Sequence, residues 1–397
     1  MSSLRHKLES SITRYWYAKP PVKKSDRLAG TLLAPLRALY EQATENRIHA
    51  RHRPTSAHPT VIVIGNITVG GSGKTPLLIA LAKVLIQRGF RVGIISRGYK
   101  ARLSSKVPYL LSLDDSAVDV GDEARLIFDT FNSDLGDSLA SDSLSSNQNA
   151  RVQNRRNTTP IVICKNRVLA LDRVKKEGVD IVLSDDGMQH YALARHIEIA
   201  VIDGGSGFGN GHLLPQGPLR EPITRLNKVD HIVVSGEADS ALIDQLNTFD
   251  VPIAQLNPTL ASPLAMNARA ASLPDSDILA LTEKYQSIIL VAGIGRPNKF
   301  FDAVRNLIGA VDTELVTYAF PDHHAYHAGD FEKIVERLAN RNLDTHDAAI
   351  LMTAKDAVKC RELAATISLP IFSVDLNIEL SPDFVDSIAA QCTKQIY

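Results

Sequence analysis

Apolar residues fall into short β-branched runs separated by stretches with a helical repeat. The runs Val61–Ile64, Arg91–Ser96, Ile161–Cys164, Asp180–Ser184, Ile197–Ile202 and His231–Val234 have nearly continuous apolar centres, the pattern of strands covered on both faces. Thr75–Arg88 is the plainest helix, with Leu77, Leu78, Leu81, Ala82 and Leu85 sharing one face. This alternation predicts a parallel, doubly wound α/β sheet. A second series, Ser287–Val291, Glu314–Tyr318, Ala348–Met352 and Pro370–Val374, predicts a second, smaller α/β domain. Between them Val251–Leu273 holds Pro252, Pro258 and Pro263 and few charges, which reads as an extended linker. The expected organisation is an N-terminal region 1–45, a nucleotide-type domain 46–250, a linker 251–285 and a C-terminal domain 286–397.

Two stretches break the pattern. Asn132–Thr159 is rich in Ser, Asn and Asp and then in Arg, with little to bury, and predicts a disordered surface insertion. Its basic cluster Arg151, Arg155 and Arg156 fits a solvated loop. The N-terminus places Trp16 between Tyr15 and Tyr17, among Arg5, Lys7, Arg14, Lys19, Lys23, Lys24 and Arg27. Leu28, Leu32, Leu33, Leu36, Leu39 and Tyr40 then share one helical face, interrupted by Pro35, which predicts a kink or a restart. Aromatic residues, cations and an apolar stripe suit an anionic membrane interface, and equally a helix packed on the neighbouring domain.

Composition narrows the class. The 397 residues fit two domains, and Lys plus Arg equals Asp plus Glu at 44 each, so no global field favours nucleic acid. Cys164, Cys360 and Cys392 lie far apart without a C-x-x-C, which predicts no disulfide framework or structural zinc and a reducing compartment. No apolar run approaches the roughly 20 residues of a membrane span, and the N-terminus lacks a signal-peptide core.

The chemistry is concentrated in a few loops. In VIVIGNITVGGSGKTPLL, Val61–Leu78, a strand runs into Gly70, Gly71, Ser72 and Gly73 and then a helix opening at Lys74-Thr75. Glycines let backbone N–H groups turn towards phosphate oxygens, and the helix start adds partial positive charge. Lys74 would bridge the β- and γ-phosphates of a nucleotide, and the Thr75 hydroxyl would ligate Mg²⁺. The first glycine of the strict phosphate-loop pattern is replaced by Thr68. In VDIVLSDDGMQH, Val179–His190, Asp185 and Asp186 end a strand where a Walker-B type Mg²⁺ ligand sits. Gly121-Asp122-Glu123 reads on its own as a helix start, and the three histidines of FPDHHAYH lack a zinc-site pattern. Asn227-Lys228-Val229-Asp230 spells a guanine-specificity motif, but its strand follows it instead of preceding it, and no suitable DxxG accompanies it.

Taken together, GNITVGGSGKTP, GDE, SDDGMQH, GFGNGHLLPQGPLREP, AGIGRPNKFF, FPDHHAY and TAKDAVK occur in an order that resembles the tetraacyldisaccharide 4′-kinase family, the lipid A kinases of Gram-negative bacteria. The resemblance runs from about Leu28 to the C-terminal region. It implies a P-loop NTPase-like domain and a second α/β domain joined by a β-ribbon linker, with the active site in the cleft. It implies ATP and Mg²⁺ as cofactors and the 4′-hydroxyl of a tetraacylated glucosamine disaccharide 1-phosphate as acceptor. It also implies peripheral attachment to the cytoplasmic face of the inner membrane, through an anionic surface, with no obligate protein partner. By motif, Asp122 resembles the catalytic base, supported by His323, and Glu123, Asp185 and Asp186 resemble the residues that organise Mg²⁺. Gln189 and Arg220 or Glu221 are candidates for phosphate or sugar contacts. Met188 stands where the family pattern suggests an aromatic, and Ala354 where it suggests Glu. The competing readings are another P-loop ATPase or small-molecule kinase of the dethiobiotin synthetase type, and a nucleotide-gated membrane adaptor.

Overall fold

The computed structural model describes residues 11–17, 24–48, 58–104, 106–132, 158–271, 277–309, 312–341 and 347–396. The expected insertion and its cluster Arg151, Arg155 and Arg156 lie outside the described residues. So do Arg5, Lys7, Lys19 and Lys23, and the side chains of Lys24, Arg27 and Leu28. The chain forms two compact units, one of residues 1–97, 160–257 and 379–397, the other of 98–159 and 258–378.

In the first unit seven strands lie side by side in the order Ile161–Ile163, Val92–Ser96, Ile181–Asp185, Thr60–Gly65, Ile197–Asp203, His231–Ser235 and Ile253–Leu256. Every pairing among them is parallel. The inner strands are buried along their whole length, which explains their unbroken apolar runs. The helix Lys74–Gln87 buries Leu77, Leu78, Leu81, Ala82 and Leu85, the face its spacing predicts. Register pairs Ile64 with Asp185, which brings the Asp185-Asp186 turn beside the loop leaving Gly65. Ligands of open parallel sheets bind at this carboxyl edge of the strands.

The second unit has a smaller sheet in the order Leu264–Ala265, Ile371–Val374, Ala348–Thr353, Ser287–Ala292 and Glu314–Ala319. Leu264–Ala265 is antiparallel and the rest are parallel. Helices Pro297–Ile308 and Ala328–Ala339 turn Phe300, Phe301, Val304, Phe331, Ile334 and Leu338 inward.

Several boundaries depart from the sequence reading. The helix Asp122–Asn132 belongs to the second unit and the C-terminal helix Pro382–Ile396 to the first. In the first unit, Phe384 of that helix meets the His231 ring edge-on at 5.4 Å. Ile253–Leu256 is no free linker, because its backbone pairs with His231–Ser235. Thr259–Leu260 pairs antiparallel with Leu376–Asn377, a two-stranded ribbon close to where the chain passes between the units.

The helix Lys24–Ile48 continues through Pro35 without restarting. It is packed against its own unit on one side: Gln216 Nε2 donates to the Gly30 carbonyl at 3.1 Å, and Tyr40 OH to that of Arg220 at 3.2 Å. The apolar stripe is therefore split between two faces. Tyr40 and Leu33 are half-buried, whereas Leu32, Leu36 and Leu39 are 69%, 53% and 66% exposed. Trp16 is anchored too, with Nε1 on the Pro215 carbonyl at 3.1 Å. Among the described residues no helix is long and apolar enough to cross a membrane. Cys164, Cys360 and Cys392 are buried thiols outside any disulfide.

Candidate active site

In the first unit the loop after Thr60–Gly65 is shaped by its own polar residues. Asn66 Nδ2 donates to Thr68 Oγ1 at 3.3 Å and towards the Gly70 carbonyl at 3.5 Å. Thr68, which replaces a glycine of the strict pattern, thus helps brace the loop and forms a bridge to Leu219. Gly70 and Gly73 adopt φ of 103° and 86°, where a side chain is strained. A Cβ on Gly70 or Gly71 would meet nothing within 4 Å, so space lies open above the loop. A Cβ on Gly73 would stand 2.6 Å from Ser235 Oγ. The Ser72 hydroxyl is buried and has no hydrogen-bond partner among the described residues. An open glycine cradle, an orphaned hydroxyl and the start of the helix Lys74–Gln87 fit a nucleotide phosphate chain.

The strand Ile181–Asp185 delivers both carboxylates. Asp186, at φ 46°, lies 3.5 Å from Lys74 Nζ and accepts two hydrogen bonds from Arg220 at 3.2 Å. Burial pushes the Asp186 carboxyl up, but Lys74 and Arg220 outweigh it and bring the group to about 2. Arg220 also donates to Gln189 Oε1, and Gln189 Nε2 to the Asn66 carbonyl. Gln189 and Arg220 therefore join the loop to the Asp186 turn. Glu221 is 1% exposed, accepts from Tyr191 OH and pairs with Arg225 at 3.3 Å, which leaves it buried among protein partners. Asp185 is buried, with Ser96 Oγ 3.5 Å from Oδ2. Arg167, which sequence reasoning missed, donates to the Asp185 and Cys164 carbonyls, and burial lowers it to about 10. Met188 fills the space against Gly65, where a Cβ would come within 2.6 Å of its Cγ.

Mg²⁺ is a hard cation that takes one or two carboxylates together with phosphate oxygens and water. Among the described residues no group of three or more His, Cys, Asp or Glu side chains could hold a metal by itself. Asp185, Asp186 and the Thr75 hydroxyl in this unit suit that sparser, phosphate-assisted binding.

The second unit holds the base candidates. Asp122 opens the helix Asp122–Asn132 and is only 7% exposed. Gly121 before it sits at φ 90°, and a Cβ there would lie 2.9 Å from the Tyr99 carbonyl oxygen. Asp122 Oδ2 lies 2.7 Å from His323 Nδ1, and Oδ1 accepts the Glu123 N–H at 3.0 Å. The two residues are 201 positions apart, yet both belong to this unit, so the pairing needs no interdomain closure. His323 is itself held at φ 61°, its N–H on the Gly293 carbonyl at 3.1 Å and its ring 5.2 Å from that of Tyr99. Burial pushes Asp122 up, but the His323 hydrogen bond and the charges of Lys355, His323 and Lys359 reverse the effect and hold it below 3.8. An ionised carboxylate bound to a directional ring is suited to receiving and steadying a proton.

Glu123 pairs with Lys355 Nζ at 3.0 Å, and Asp322 lies 3.9 Å from the same ammonium. Sequence reasoning noted TAKDAVK without assigning Lys355 or Asp356; the T-x-x-D spacing after a strand was the available signal. The other histidines do not converge on a metal: His324 pairs with Asp330 at 2.9 Å, and Asp330 also accepts the His327 N–H. The guanine-motif residue Asp230 is absorbed structurally, accepting the Glu198 N–H at 2.8 Å.

A profile of the family "LpxK: Tetraacyldisaccharide-1-P 4'-kinase" matches residues 29–135 and 150–393, so the expected insertion falls around the break. A tetraacyldisaccharide 4′-kinase of Shewanella sp. (strain ANA-3) is 36% identical over 95% of this chain and 93% of its own. Those of Alcanivorax borkumensis and Vibrio cholerae are 35% identical over 84% of this chain and 85% of theirs, and 33% over 89% and 88%. The crystal structure of LpxK from Aquifex aeolicus in complex with ATP aligns with a TM-score of 0.64 over 93% of this chain and 100% of that one, at 22% identity, which bears on the fold. By the profile and by these relatives, the chain belongs to the tetraacyldisaccharide 4′-kinase family.

Proposed function

We propose that this chain transfers the γ-phosphoryl group of ATP to the 4′-hydroxyl of a tetraacylated glucosamine disaccharide 1-phosphate, with the Asp122–His323 pair receiving the hydroxyl proton. The reaction follows from family membership, which also sets aside the dethiobiotin synthetase-like and adaptor readings. The assignment of residues rests on one observation above all, the 2.7 Å contact of Asp122 with His323.

Phosphoryl transfer passes through a loose transition state, so positioning and charge neutralisation matter more than base strength. A carboxylate kept ionised suits that demand. Asp122 spends one lone pair on the Glu123 N–H and one on the His323 ring, and each oxygen keeps another for a sugar hydroxyl. Bound Mg²⁺–ATP supplies the phosphoryl group and divalent charge that offsets its oxygens. Lys74 and the N–H groups of Gly70–Gly73 bind and orient the phosphates. Thr75, Asp185 and Asp186, all of the first unit, would hold the cation. Arg220 and Gln189 steady the Asp186 turn.

The acceptor carries four acyl chains and so partitions into a bilayer. The exposed stripe Leu32, Leu36 and Leu39 supports peripheral attachment of the enzyme to the cytoplasmic face of the bacterial inner membrane. The test is acceptor choice: with labelled ATP, tetraacyldisaccharide 1-phosphate in mixed micelles should be labelled at the 4′-position, and soluble glucosamine disaccharides should be at least ~100-fold poorer by kcat/KM. Equal use of soluble sugars would contradict the reading.

A further inference from the structure

One motif is left without a role by the reaction as described. Thr353 ends the strand Ala348–Thr353 and caps the short turn that follows: its Oγ1 accepts the Asp356 N–H at 3.2 Å and donates to Asp356 Oδ2 at 2.7 Å. Asp356 has no exposed surface. Its Oδ1 accepts from Lys359 Nζ at 2.7 Å, and its Oδ2 accepts the Gly293 N–H at 2.9 Å. The carbonyl of the same Gly293 accepts the His323 N–H. Gly293 is wedged in place, since a Cβ there would lie 2.8 Å from Tyr326 OH and 3.1 Å from Asp356 Oδ1. A continuous path of hydrogen bonds thus runs from Asp356 through Gly293 to His323 and on to Asp122.

The neighbouring Lys355 serves the other side of the same pair. It binds Glu123, the residue after Asp122, and lies near Asp322, the residue before His323. Without this ammonium, Glu123 beside Asp122 and Asp322, 3.8 Å from His323 Nε2, would lose the cation they share.

We propose that the Thr353–Asp356 turn is a positioning element of the transfer step: Asp356 fixes His323 through Gly293, and Lys355 fixes Glu123 beside Asp122. This rests on the Asp122–His323 reading of the base. Small displacements of a reacting group cost rate more than affinity. Asp356→Asn and Lys355→Met should therefore lower kcat by roughly 10- to 100-fold, with KM for ATP and for the lipid acceptor within about twofold.

The experiment is a pair of double-mutant cycles on the full chain, assayed with ATP and tetraacyldisaccharide 1-phosphate, with melting temperatures measured in parallel. Groups acting as a unit are non-additive. Asp356→Asn in a His323→Ala background, and Lys355→Met in a Glu123→Gln background, should each lower kcat by less than about a further twofold. Fully additive losses, a loss confined to KM, or wild-type kcat in well-folded single variants would overturn the proposal. If Asp356→Asn does not fold, Lys355→Met decides by the same criteria. Wild-type kcat in His323→Ala alone would instead overturn the base assignment, and this proposal with it.

Discussion

At the residue scale the central feature is a carboxylate that stays charged although it is buried. Burial alone would raise Asp122, but a hydrogen bond and nearby cations win, and its value lies below 3.8. The sign follows from linkage. A group whose folded value is depressed adds stability that is complete above its unfolded value and lost as pH falls through the folded one. Carboxyl-resolved NMR titration should place the Asp122 midpoint below 3.8, and His323→Ala should raise it. A wild-type midpoint above 3.8 would remove the physical basis of the assignment. Asp186, at about 2, behaves in the same sense, so neither group limits activity at neutral pH. The sequence carried the identity of Asp122 only through its family pattern, because GDE by itself says helix start. Lys355 and Asp356 escaped notice for a physical reason: their partners, Glu123 and Gly293, are 232 and 63 residues away.

At the element scale, two glycines set the angle at which a strand or loop hands its residues to a helix. Gly73 holds φ 86° before Lys74, and Gly121 holds φ 90° before Asp122. A left-handed backbone costs an L-residue roughly 1–2 kcal/mol, before any clash. Gly73→Ala should weaken nucleotide binding at least ~10-fold, because the new methyl also meets Ser235. Gly121→Ala meets a carbonyl that cannot rotate away, so it should lower kcat ~10- to 100-fold by displacing Asp122. Gly89→Ala is the control: φ is 89°, but nothing lies within 4 Å of the new methyl. It should cost ~1 kcal/mol of stability and leave both constants unchanged, as calorimetric ATP titration and steady-state rates would reveal. Periodicity located the inner strands of the first unit well, because they carry long apolar runs and are buried along their length. It misjudged 251–256, since an edge strand that leaves residues exposed looks like a linker in sequence.

At the scale of the whole molecule, the two units cut across the linear order. The stretch 98–159 interrupts the first unit, and 379–397 returns to it. Periodicity carries no information about such returns, which are set by long-range packing, so the sequence reading drew domains as consecutive blocks. The N-terminal helix taught the same lesson on a smaller scale. Its apolar residues were expected to share one face, yet Tyr40 and Leu33 are half-buried and Leu32, Leu36 and Leu39 are exposed. Each exposed leucine should contribute about 1 kcal/mol of transfer into an interface. Replacing all three with Ser should lower binding to anionic vesicles on the order of 100-fold, with an unchanged melting temperature. Vesicle flotation showing full retention would point to a different contact surface.

Phosphoryl transfer should depend on Asp122, whereas nucleotide binding should not. A single-turnover experiment with Mg²⁺–ATP prebound and excess tetraacyldisaccharide 1-phosphate separates the two. Asp122→Asn should bind ATP within about threefold of wild type and transfer the γ-phosphoryl group to the 4′-hydroxyl roughly 10²- to 10⁴-fold more slowly. A wild-type single-turnover rate in Asp122→Asn would contradict that dependence.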